Sequence, residues 1–102
     1  MTISKNYLDL SVSIGETIEA IATKIANLIL ADSSFIDVDL RSTPNLSFSY
    51  ENGNFLLKGE IDFENNKLFF NNQEILLSSN DINFIKENYE KALKYLNEMS
   101  KD

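Results

Sequence analysis

At 102 residues, with nine Lys and Arg against sixteen Asp and Glu and a formal net charge of −7, the chain is sized for a single domain, 1–102, that buries its core without staples. It has no cysteine and no histidine, which removes disulfides, the thiol nucleophile, the usual general base at neutral pH and the commonest transition-metal ligands. A pI near 4.5 repels polyanions at the distances that govern encounter, and no apolar run approaches the roughly 20 residues of a membrane span, so neither direct nucleic-acid binding nor a membrane is expected.

Met1 to Leu10 lacks a basic stretch followed by an apolar one, so the chain reads as soluble, unprocessed and cytoplasmic. Lysine outnumbers arginine eight to one, and Asn and Ile are abundant. Such usage follows from an AT-rich coding sequence and points to a bacterial or phage origin.

Residues 7–12 alternate, with Leu8, Leu10 and Val12 on one side, and predict a short N-terminal strand or ordered arm. Ser13-Ile14-Gly15-Glu16 has the form of a capping box opening a helix over about 14–31. Its apolar positions Ile14, Ile18, Ile21, Ile25, Leu28 and Ile29 recur at three and four residues and form a stripe for the core. The helix is expected to stop near Asp32-Ser33-Ser34, where three short polar side chains compete for backbone hydrogen bonds. Phe35–Leu40 alternates again and reads as a strand, with Asp37 and Asp39 on its polar side. Arg41 to Asn45 connects it onward, since Pro44 has no ladder donor.

Asn52-Gly53 is a strong hairpin signal, because both central positions of a type I′ turn need positive φ. Pairing outward from it sets Tyr50 against Phe55 and Phe48 against Leu57 on the core face. A second turn at Asn65-Asn66 sets Phe63 against Leu68 and Ile61 against Phe70 on that same face. Asn71-Asn72 marks a third turn into a strand over 74–77, where direct pairing would bring Gln73 opposite Phe70 and a bulge or longer loop is expected. Ser78 and Asp81 open a last helix over about 80–99, whose stripe is Ile82, Ile85, Tyr89, Ala92, Leu93, Leu96 and Met99. The fold class is α+β: an antiparallel four-stranded meander, with room for a fifth short N-terminal strand, packed by an N-terminal and a C-terminal helix.

Chemistry-bearing patterns are few. Asp37-Val-Asp39 sets two carboxylates about 7 Å apart on one strand face, a spacing that suits a divalent cation or an acid/base pair and equally describes a solvated strand. Glu60-x-Asp62-x-Glu64 repeats that pattern, with Glu64 expected to face Lys67 across its turn. Gly15, Gly53 and Gly59 are isolated, so there is no phosphate loop, and Gly59 in mid-strand, opposite Leu46, is expected to admit a bulky neighbour.

More informative are Leu56, Phe69 and Leu76, which alternation assigns to the face turned away from the core among Glu60, Asp62 and Glu74. Apolar side chains with an acidic rim have the makeup of a protein-binding patch, unless the last helix covers them or they form a homodimer seam. These six residues are the candidate partner-binding set. The function expected is a non-catalytic acidic binding protein, monomer or homodimer, with no cofactor and no metal. Its partner is then a basic nucleic-acid-handling protein held as by a stoichiometric inhibitor of the anti-CRISPR or toxin-neutralising immunity type. A dimeric acidic secretion-type chaperone is the alternative, followed by a phage structural or assembly protein and last by a carboxylate-dependent enzyme.

Overall fold

The computed structural model describes the backbone of residues 3–40 and 45–99 and side-chain surroundings from Leu8 onward. Along the chain come α1 (Ile3–Ile29), a 3-10 turn (Ser33–Phe35), β1 (Ile36–Asp39), β2 (Leu46–Asn52), β3 (Phe55–Asp62), β4 (Lys67–Phe70), β5 (Gln73–Leu76) and α2 (Ser79–Met99). The strands form one antiparallel meander in the order β1-β2-β3-β4-β5, and both helices pack on the same side of it. Ile21 and Ile25 of α1 and Ile82, Ile85, Tyr89 and Ala92 of α2 share one core with Leu40, Leu46, Phe48, Ile61, Leu68 and Leu77. The result is an α+β fold of two layers.

The sheet does have five strands, but none comes from the N-terminus: residues 7–12 lie within α1. Over six residues the two periodicities overlap, and here the helical one wins. Leu8 and Val12, four apart, share an exposed side, while Leu10 continues the buried stripe backward from Ile14. Ser13 therefore lies inside the helix rather than capping it. At the other end the Ala31 N–H donates to the Ala26 carbonyl at 2.8 Å around Leu30 at φ +59°, a Schellman closure that ends α1 two residues earlier than expected. Asp32 instead organises the 3-10 turn, its Oδ1 accepting from the Ser34 amide and hydroxyl at 2.9 Å each.

Both long hairpins keep the expected faces and shift register by two residues. Asn52 pairs with Phe55, so the two loop residues are Gly53 and Asn54. Gly53 has φ +62° and Asn54 has no positive φ, the pattern of a type II′ turn, with glycine first. Tyr50 then faces Leu57, Phe48 faces Gly59 and Leu46 faces Ile61. In the next hairpin Asp62 pairs with Lys67, leaving residues 63–66 as a four-residue loop. Asp62 builds it, accepting from the amides of Glu64 (3.0 Å) and Asn65 (3.3 Å) and from Asn65 Nδ2 (2.7 Å). Phe63 leaves the sheet and stacks on Tyr89 of α2, with centroids 5.4 Å apart. The third turn is a direct two-residue one without a bulge, because Asn71 and Asn72 both take positive φ, 52° and 61°.

Ser78 caps α2, its Oγ accepting from the Asp81 amide at 3.2 Å. Asp81 itself turns to Lys24 of α1, 3.1 Å away, and the same ammonium lies 5.2 Å over the Phe84 ring. Of the expected connection, Arg41 to Asn45, residues 41–44 lie outside the described residues. One core assignment does not hold: Phe55 faces the helix side yet is 69% exposed, at the hairpin end that extends past β1 and β4.

Candidate functional site

Since α1 and α2 share one face, no described element covers the other face of the sheet, and the cover by the last helix weighed above is not formed. Strand pairing places Asp39, Ser47, Glu60, Phe69 and Glu74 in one row across all five strands. Phe69 thus stands between two glutamates, directly opposite Glu60 on β3 and Glu74 on β5. The next row runs Asp62, Lys67, Leu76, which sets Leu76 diagonally beside Phe69. Leu76 is 75% exposed and Phe69 39%. Five of the six candidate residues therefore meet in one patch over β3, β4 and β5.

Leu56 does not join them. It pairs with Glu51 four positions back along β3 from Glu60, about 13 Å at 3.3 Å per residue, with Lys58 between. Glu64 is also absent from the face, because the four-residue loop carries it off the ladder.

The acids of the patch are held in place from within. Glu60 Oε2 accepts from Asn45 Nδ2 at 2.6 Å, and Glu74 forms an ion pair with Lys67, the lysine that sequence spacing had assigned to Glu64. Asp62 is held below the ordinary aspartate range, chiefly by the hydrogen bond from the Asn65 side chain. Each carboxylate keeps acceptor capacity beyond these bonds, so the rim is oriented, with Glu74 balanced by Lys67 and Glu60 held by a neutral amide. Between Lys58, Glu60, Phe69, Asn71, Gln73 and Glu74 lies an open depression of about 610 Å³. Over the whole outer face Asp37, Asp39, Glu51, Glu60, Asp62 and Glu74 are accompanied among the described sheet residues by Lys58 and Lys67 alone.

Among the described residues no group of three acids is placed to hold a metal ion, and no helix is long and apolar enough to cross a membrane. Sequence reasoning missed Asn45 and Lys67 as the partners of Glu60 and Glu74. Only the exact register could have shown Lys67 beside Glu74, and Asn45 carries no signal by itself. No family model matches the chain, and neither a curated protein nor a solved structure matches it.

Proposed function

We propose that this chain is a non-catalytic binding protein that holds a basic protein partner against the open face of its sheet. The observation that carries the reading is the outer face, where Phe69 and Leu76 stand exposed inside a rim of Glu60, Asp62 and Glu74. Apolar anchors among carboxylates that outnumber the cations beside them, here Lys67 and Lys58, are what a complementary basic surface engages. The rim is prepaid in conformational terms, because strand pairing and internal hydrogen bonds already fix its carboxylates. Rows of carboxylates projected from a rigid sheet can replace phosphates in a basic cleft, so the narrower proposal is a stoichiometric inhibitor of a nucleic-acid-handling protein.

The reading is tested by affinity capture from the native host with quantitative mass spectrometry, comparing the wild-type chain with Phe69→Asp and with the triple variant Glu60→Gln, Asp62→Asn, Glu74→Gln. A basic protein retained by the wild type and lost by both variants is the expected result. Capture that is indifferent to all four positions moves the binding surface elsewhere.

A further inference from the structure

We propose that the projecting end of the β2–β3 hairpin is a self-association surface, which a second copy of this chain occupies. Three observations carry this, and none depends on the outer-face reading.

The first is geometric. β1 begins opposite Tyr50 and β4 ends opposite Gly59, so the hairpin between these positions extends past the strand on either side. Its tip presents apolar side chains on both faces: Phe55, 69% exposed, toward the helix side and Leu56, 57% exposed, toward the other. Leu56, which stands apart from Phe69 and Leu76, belongs to this end of the molecule.

The second is an aromatic shelf at the base of the tip. Phe35 meets Tyr50 edge-on at 5.8 Å, Tyr50 meets Phe70 at 6.2 Å, and Phe70 stacks on buried Phe48 at 5.8 Å. Phe35, Tyr50 and Phe70 are only partly covered. The shelf is firmly seated in the core yet open on its outer side.

The third is charge, and it selects the occupant. In a molecule of net charge −7, the stretches 52–57 and 68–73 contain no charged residue, and the flanking Glu51 and Lys58 alternate onto the outer face, away from Phe55 and the shelf. A basic partner gains nothing on that helix-side surface. Two copies can meet there without burying a charge, whereas pairing their outer faces would set carboxylates against carboxylates. A twofold arrangement is self-complementary: Phe55 of each copy lies on the Phe35–Tyr50–Phe70 shelf of the other. An interface limited to a hairpin tip and this shelf belongs to the small, transient class, so the dimer depends on concentration.

Sedimentation velocity on the full chain from about 5 to about 500 μM, a range that brackets transient affinities, decides the matter. The wild type is expected to shift from monomer to dimer, and added salt to favour the shift by screening the net charge. Phe55→Asp is expected to weaken association roughly tenfold or more, while Phe69→Asp on the outer face leaves it unchanged. Both positions are solvent-exposed, and circular dichroism checks that both variants keep the fold. A monomer at every concentration overturns the proposal, as does a dimer that Phe69→Asp weakens as much as Phe55→Asp.

Discussion

Gly59 and Leu30 show how much a single backbone position decides here. A Cβ at position 59 would lie 2.2 Å from Cζ of Phe48, and that ring is buried and stacked on Phe70, so it has nowhere to retreat. Gly59→Ala is accordingly expected to destabilise by about 1 to 3 kcal/mol through overpacking. Denaturant melts check it, and a loss below about 0.5 kcal/mol would mean that the ring can be displaced at little cost. Leu30 has the opposite character. Its backbone is left-handed at φ +59° and its side chain is 93% exposed, so it carries the steric cost of that conformation and gives no packing in return. Glycine is the residue such a helix terminus favours. Leu30→Gly is expected to raise stability by about 0.5 to 1 kcal/mol in the same melts.

At the scale of the elements, the two helices are tied by Lys24 and Asp81, and the tie has a pH signature. Asp81 is held below the ordinary aspartate value of 3.8, first by the hydrogen bond from Lys24, which burial opposes, and then by Ser78 and the charge of Lys24. A carboxyl whose pKa is lower folded than unfolded stabilises the fold above the unfolded value. As pH falls toward the folded value the unfolded chain binds the proton first, and that stabilisation is lost. Lys24→Met should therefore lower the thermal midpoint at about pH 6, and its difference from the wild type should shrink toward about pH 2. A difference that stays constant over that range would assign the effect to packing on Phe84. The same scale shows what was legible in the sequence. Every strand face was, because a register error of two residues leaves the alternation intact. The registers were not, because Asn52-Gly53-Asn54 supports two turn types that differ in which pair is central, and Asp62 recruits a loop that the Asn65-Asn66 signal does not announce. The start of α1 was hidden because Leu8, Leu10 and Val12 alternate with the strand period and the capping-box pattern at Ser13 signalled a later start. In the candidate site, the identity of the outward residues followed from alternation, but the grouping of Phe69 and Leu76 without Leu56 required distances along and across strands.

For the molecule as a whole, the two-layer arrangement separates stability from recognition. The core lies between the helices and one sheet face, so residues on the other face can change without opening it. Phe69 and Leu76 are the apolar anchors of that face, and Glu60, Asp62 and Glu74 its charged rim. Anchors that become buried on docking govern how long a complex lasts, while charges act over about a Debye length, near 8 Å at physiological salt, and govern encounter. Phe69→Ala with Leu76→Ala is thus expected to speed dissociation from the basic partner with association nearly unchanged. Glu60→Gln with Glu74→Gln should slow association at low salt and matter less as salt rises. Surface plasmon resonance across a salt series against the captured partner separates the two effects. The anchors also pass through the fold itself: Phe69 sits on the short strand whose neighbours Leu68 and Phe70 point into the core, so it docks from a rigid base and loses little freedom on binding. If instead the anchor variants alter only association, or the rim variants only dissociation, the division of labour across the face is reversed and the carboxylates, not the rings, make the buried contact.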